Sequence, residues 1–315
     1  MMDQPIEIFI RNQIMSKSIL RIRVFATLVI VAYHCACPYY MWQWAGYAGD
    51  INKAKTIVDF VFLRGLSNTM LPTFFMISGM LFYSYKEHYS DKLKTFWKKF
   101  DRLIIPYCLM YTLIMCLRLP NIGVSSASGH LWFVRDLFIM FAFSILFYKI
   151  KERWLLLIGV LTYSLYIIKA KIGFETNEIV EHLLNYYIFF IGGGFVQRNY
   201  SLLRKKVMAI SMIGMWLLTF ALGIQTLYTF FFNFMLLALM NDSEVKSRIL
   251  KSLNRSSFGI YLLHHVVIFA LFYIPWMYNM YVHNAILAFS LMFVLSLSIS
   301  WLIMFCLVKI GFKYF

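Results

Sequence analysis

Arg23 and His34 are the residues whose placement most invites chemistry. The ten residues between them, Val24 to Tyr33, are apolar apart from Thr27 and the ring hydroxyl of Tyr33. At about 100° and 1.5 Å per residue, one helix would carry the guanidinium and the imidazole within roughly 20° of each other on one face, about 16 Å apart. A neutral imidazole can take a proton from a hydroxyl or attack a carbonyl itself. Placing a titratable group at membrane depth is costly, which points to function. A histidine satisfied by a neighbouring helix explains the same residue without chemistry, and this stretch alone leaves both readings open.

Other stretches add candidates. Lys98-Lys99-Phe100-Asp101-Arg102 precedes Ile105-Pro106. Clustered cations there can clamp the phosphates of a nucleotide-bearing co-substrate, or equally bind lipid headgroups and set topology. His130-Leu131-Trp132-Phe133-Val134-Arg135-Asp136 opens a further apolar run. Trp132 there fits an interfacial aromatic belt, and Asp136 pairs with Arg135 or Arg64 or lines an outer vestibule. In Ser257-Phe258-Gly259-Ile260-Tyr261-Leu262-Leu263-His264-His265, helical spacing puts Tyr261 on one face with His264 or His265. Ser78-Gly79 sits in apolar surroundings, which permits close helix packing. Gly192-Gly193-Gly194, also in an apolar context, reads as close packing or a helix kink, the wrong context for a dinucleotide fingerprint. Neither an HxxxH pair nor a carboxylate dyad is present, so metal chemistry is not expected.

The elements that must position these groups are membrane helices. The 315 residues are 61% hydrophobic and 14% charged, with mean hydropathy +0.70. Soluble domains average about 45–50% apolar and about 25% charged. Runs able to cross about 30 Å of hydrocarbon fall near 21–40, 68–85, 102–118, 130–148, 154–168, 179–197, 207–222, 225–240, 257–275 and 285–308. A shorter amphipathic piece lies near 56–66, with Gly65 and Pro72 expected to break it from the second span. Counting alternate sides, 23 of the 30 Lys and Arg fall on the side of the termini and 7 on the other. The positive-inside rule then puts both termini in the cytoplasm. This placement accounts for the +16 charge without invoking nucleic acid. The first run is too long for a cleavable signal and should remain as a span. The five cysteines, in or beside apolar runs, read as small core residues.

Taken together, these pieces resemble the acyltransferase-3 family of integral-membrane acyltransferases. The resemblance rests on Arg23 with His34 after ten residues, Pro72-Thr-Phe-Phe-Met-Ile-Ser78-Gly79, the basic pair before Ile105-Pro106, Leu131-Trp132-Phe133, and Ser257-Phe-Gly-Ile-Tyr261-Leu-Leu-His264. One departure concerns the two arginines, three apart, often found at the second inner link. Here the first is Lys99 and the second Arg102, and lysine keeps the charge without the bidentate fork. Many family members carry an extra extracytoplasmic domain, and 1–315 reads as the stand-alone form, a single membrane domain with 1–20 as a cytoplasmic N-terminal segment.

The resemblance implies an all-α polytopic bundle of about ten helices in a bacterial plasma membrane. It implies an O-acyltransferase with acyl-CoA, most simply acetyl-CoA, as co-substrate and no permanently bound cofactor. Lys99 and Arg102 would meet the phosphates and Arg23 would guide the co-substrate inward. His34 would act as general base or as a transient acyl carrier, and Trp132, Asp136, Tyr261 and His264 would face the acceptor. That acceptor is expected to be a glycan or lipid-linked saccharide of the cell envelope. The rival reading is a proton-coupled transporter or flippase for such a saccharide, with His34, Asp136 and His264 as a relay. Inverted repeats, common in transporters, are not evident in the sequence.

Overall fold

The computed structural model describes residues 4–36, 66–84, 91–117, 128–147, 149–150, 152–200, 205–239 and 245–312. Most of the amphipathic piece expected near 56–66 lies outside them, as do Cys37 and Arg64. Among the described residues the secondary structure is helical, without strands. The helices are α1 (Gln4–Ala36), α2 (Leu66–Ser84), α3 (Lys92–Leu117), α4 (Trp132–Leu146), α5 (Glu152–Ile172) and α6 (Glu178–Arg198). They continue with α7 (Lys206–Ala221), α8 (Gln225–Leu239), α9 (Arg248–Phe272), α10 (Pro275–His283) and α11 (Ala285–Lys309).

Each expected span coincides largely with one helix, and the ninth also reaches Pro275, the first residue of α10. Several helices begin well before the apolar run that announced them: α1 at Gln4, α3 at Lys92 and α9 at Arg248. Hydropathy registers only the stretch that must avoid water, whereas backbone hydrogen bonding carries a helix on into polar sequence. Pro72 sits inside α2 instead of breaking it, as Pro106 sits inside α3. Membrane helices absorb an interior proline because neighbouring groups satisfy the freed carbonyl. The extra element, α10, is a nine-residue helix with proline at its start.

Among the described residues six helical stretches are long and apolar enough to cross a membrane: 17–35, 92–117, 153–172, 178–198, 248–272 and 286–309. Large apolar side chains such as Leu157, Leu161, Leu165 and Ile168 on α5, and Leu302 and Phe305 on α11, point outward, which suits lipid as the surrounding solvent. The protein is a multi-pass helical membrane protein. Cys35 is buried, but Cys108, Cys116 and Cys306 are exposed, correcting the core assignment. Where lipid replaces water, an apolar run no longer implies an interior position.

The chain forms two compact units, the first comprising residues 1–23, 71–99 and 136–247. Two hairpins, α5–α6 and α7–α8, belong to it. Their turns pass through Gly173 and Gly223 at φ of 67° and 69°, a left-handed conformation that costs glycine little. Asn177 caps α6 by accepting from the Ile179 amide at 2.9 Å. Within this unit α2 crosses α6 glycine against glycine. A β-carbon on Gly79 would overlap the Phe190 carbonyl, and one on Gly193 the Met76 carbonyl. Phe82, Phe141 and Phe190 pack beside this crossing, with ring centroids 5.0–6.1 Å apart.

The second unit comprises residues 24–70, 100–135 and 248–315. Here α9 packs on α11, with α10 against both. Its core includes Val31, Cys35, Ile260, Ile268, Met277, Tyr281 and Met292. The end of α1 is tied into this core: the Cys35 Sγ lies 3.3 Å from Ser296 Oγ, and Tyr281 Oη donates to the Cys35 carbonyl at 3.0 Å. These contacts fix the rotation of α1 at His34.

Candidate functional site

Four histidines meet inside the second unit. His34 comes from α1, His130 from the turn before α4, and His264 and His265 from α9. His34 Nδ1 is 2.8 Å from His264 Nε2. Its ring centroid is 4.7 Å from that of His265 and 6.2 Å from that of His130. His130 and His265 are closer still, at 4.4 Å. His264 is 0% exposed and His130 and His265 are 4% exposed, while His34 is half-buried. Among the described residues no group of three or more His, Cys, Asp or Glu side chains is arranged to hold a metal ion.

The turn that carries His130 is pinned to α9 at two points. Tyr261 Oη donates to the His130 carbonyl, and His130 Nε2 bonds the Leu262 carbonyl at 3.1 Å. Because a carbonyl only accepts, that ring holds its hydrogen on Nε2. Phe133 packs edge-on against Tyr261, centroids 5.4 Å apart. Tyr261, His264 and His265 thus share one side of α9, as their three- and four-residue spacing predicts. His264 is further held by its own helix, with Nδ1 3.0 Å from the Ile260 carbonyl. Replacing Tyr261 by phenylalanine removes the donor to His130 and is expected to cost about 1 kcal/mol. Thermal unfolding in one fixed detergent checks this, and an unchanged midpoint would mean that the contact is not stabilising.

Of the residues singled out in the sequence, His34, Tyr261 and His264 are brought together. His130 and His265 join them without having been assigned a role. The signal that could have found them is the recurrence of histidine in apolar runs at predicted outer ends of spans, since an isolated histidine there is already unusual. Trp132, half-buried, opens α4 with its ring edge-on to Phe133. Arg102 is exposed on α3.

In the first unit, Asp136 is fully buried, and its Oδ2 lies 2.6 Å from His182 Nδ1. His182 stands one turn into α6, with Glu178 Oε1 at 3.9 Å. A separate ion pair joins Lys169 to Glu181 at 2.7 Å. Asp136, expected to pair with Arg135 or Arg64 or to line an outer vestibule, has His182 as a partner, 46 residues away and not foreseen from the sequence. Lys99 holds its ammonium 4.0 Å from the centre of the Phe141 ring, a cation–π contact. Arg23 is half-buried on α1. A double-mutant cycle with Asp136→Asn and His182→Gln is expected to give a coupling of about 1–2 kcal/mol in unfolding. Strict additivity would show that the short contact carries no specific energy.

Residues 17–305 match a family model described as an acyltransferase domain. No curated protein and no solved structure gives a significant match.

Proposed function

Because the chain belongs to the acyltransferase-3 family, matched over nearly its whole length, and is accordingly a membrane acyltransferase, we propose that it is an O-acyltransferase. In this reading it moves an acyl group, most simply acetyl, from cytoplasmic acyl-CoA to a hydroxyl of a cell-envelope glycan or lipid-linked saccharide. The observation that carries the reading is the position of His34. It stands eleven residues along α1 from Arg23, inside a cluster of four histidines built within one unit.

His34 is the general base of the proposed reaction. Its lone pair takes the proton of the acceptor hydroxyl as that oxygen attacks the thioester carbonyl. The carbon–sulfur bond breaks, and the proton passes from the imidazolium to the departing thiolate, so ester and free thiol are the balanced products. Arg23, Lys99 and Arg102 are assigned to the anionic co-substrate: phosphates are met well by cations, and Arg102 offers a bidentate fork that Lys99 cannot. Trp132 offers an aromatic face to a sugar. Asp136, Tyr261 and His264 are proposed to meet the acceptor, as the family resemblance implies. The positive-inside count favours cytoplasmic termini and hence an outer location for the acceptor.

Purified protein in lipid nanodiscs, supplied with labelled acetyl-CoA and an extract of lipid-linked saccharides, is expected to place label on the saccharide as an alkali-labile ester. Envelope glycans from a strain lacking the gene are expected to lose the mass of one acyl group per modified unit. Movement of the saccharide across vesicles without any CoA thioester, and no ester formed, would instead support the transporter reading.

A further inference from the structure

The hydrogen bonds around His264 determine which nitrogen of His34 is available. His264 Nδ1 lies 3.0 Å from the Ile260 carbonyl. An oxygen that only accepts requires hydrogen on that nitrogen. A neutral imidazole has one N–H, so Nε2 of His264 carries the lone pair. The doubly protonated alternative would place a full charge on a side chain that is 0% exposed, at a large desolvation cost. The lone pair on Nε2 faces His34 Nδ1 at 2.8 Å, so His34 Nδ1 must be the donor. The remaining nitrogen of His34, Nε2, is then the one with a lone pair.

We infer that His264 is a positioning residue: it holds His34 as the Nδ1–H tautomer and leaves Nε2 to face the reacting atoms. This rests on the proposed role of His34 as base. The logic is that of a catalytic triad in which a third group orients the base, except that a neutral ring stands where a carboxylate would be. Four further features hold the arrangement. His264 is anchored by its own helix at Ile260. His34 is anchored through its neighbour Cys35, tied to Ser296 and Tyr281. His265 packs edge-on to His34 at 4.7 Å, limiting rotation of the ring. Tyr33 packs against it from the other neighbour, at 5.3 Å. When His34 gains a proton on Nε2 from the acceptor, the Nδ1–H bond to His264 becomes charge-assisted and stronger. The partner thereby acts more on the charged state than on the resting one, which is the requirement for lowering a barrier.

The test reads the tautomer directly. Full-length protein labelled with 15N-histidine, in lipid nanodiscs and without substrate, reports by NMR which ring nitrogens carry hydrogen, and the His34 signals are identified by their loss in His34→Gln. The expected result is hydrogen on Nδ1 and a bare Nε2. Hydrogen on Nε2 of His34 would overturn the inference, whatever the activity. In turnover, His264→Leu is expected to lower kcat by about 10²-fold with little change in KM for acyl-CoA, less than the roughly 10⁴-fold for losing a tautomer-fixing carboxylate, because a neutral ring stabilises the imidazolium less. His264→Gln, whose amide oxygen can still accept from Nδ1–H, is expected to recover most of that loss. Wild-type kcat in His264→Leu would also overturn it. Absence of any acyl transfer by the wild type, with the tautomer as inferred, would sink the enzyme reading and leave the dyad standing.

Discussion

Purified His34→Gln protein is expected to transfer acyl groups about 10²–10⁴-fold more slowly than the wild type, the range that general base catalysis supplies. Glutamine suits this test better than alanine. Its amide can still donate to His264 Nε2, 2.8 Å from the present Nδ1, and it fills most of the ring's space, so the cluster keeps its shape. What it lacks is a basic nitrogen. The melting temperature should therefore stay near that of the wild type while kcat collapses, and binding of acyl-CoA should be little changed. A variant retaining more than about a tenth of the wild-type rate would remove His34 from the chemistry, because positioning and electrostatics elsewhere cannot conceal the loss of a true base. If the apo protein is equally stable and binding is equally tight, no folding defect remains to explain the fall.

The second large effect concerns stability, at the α2–α6 crossing. Gly79→Ala and Gly193→Ala are each expected to destabilise the protein by about 3 kcal/mol or more, the upper end of overpacking costs. The reason is that the added methyl meets backbone. Gly79 faces the Phe190 carbonyl, and Gly193 faces the Met76 carbonyl and the Met80 amide. Backbone atoms in two packed helices cannot rotate aside, so the helices must separate and lose the packing of Phe82 and Phe190. Gly259→Ala provides a contrast. Its methyl would meet the Met304 side chain, and methionine has three rotatable bonds with which to yield. A smaller loss is expected there. Thermal unfolding of the three variants side by side gives the ranking. Equal stability for all three would show that the close approach of α2 and α6 is not as described.

Much of this architecture is legible in the chain itself. Apolar runs separated by basic links specify helices in lipid, because only a helix satisfies its backbone within one segment. The spacing of Arg23 and His34, and of Tyr261, His264 and His265, needs nothing beyond the helical repeat. Ser78-Gly79 and the run from Gly192 to Gly194 announce close packing, and they prove to be partners across one crossing. Helix starts are less legible, since water tolerates the polar turns that precede a span.

Local rules thus account for a helical membrane chain, its family resemblance, and the faces on which its histidines sit. Which side chains meet is a matter of tertiary packing. That His34 finds His264, that His130 and His265 close around them, and that Asp136 finds His182 depend on how helices remote in sequence rotate and slide against one another. Those two degrees of freedom are settled by the packing of many side chains at once, so no single stretch encodes them. The same packing brings His34 Nδ1 to His264 Nε2, the contact from which the tautomer of His34 is inferred.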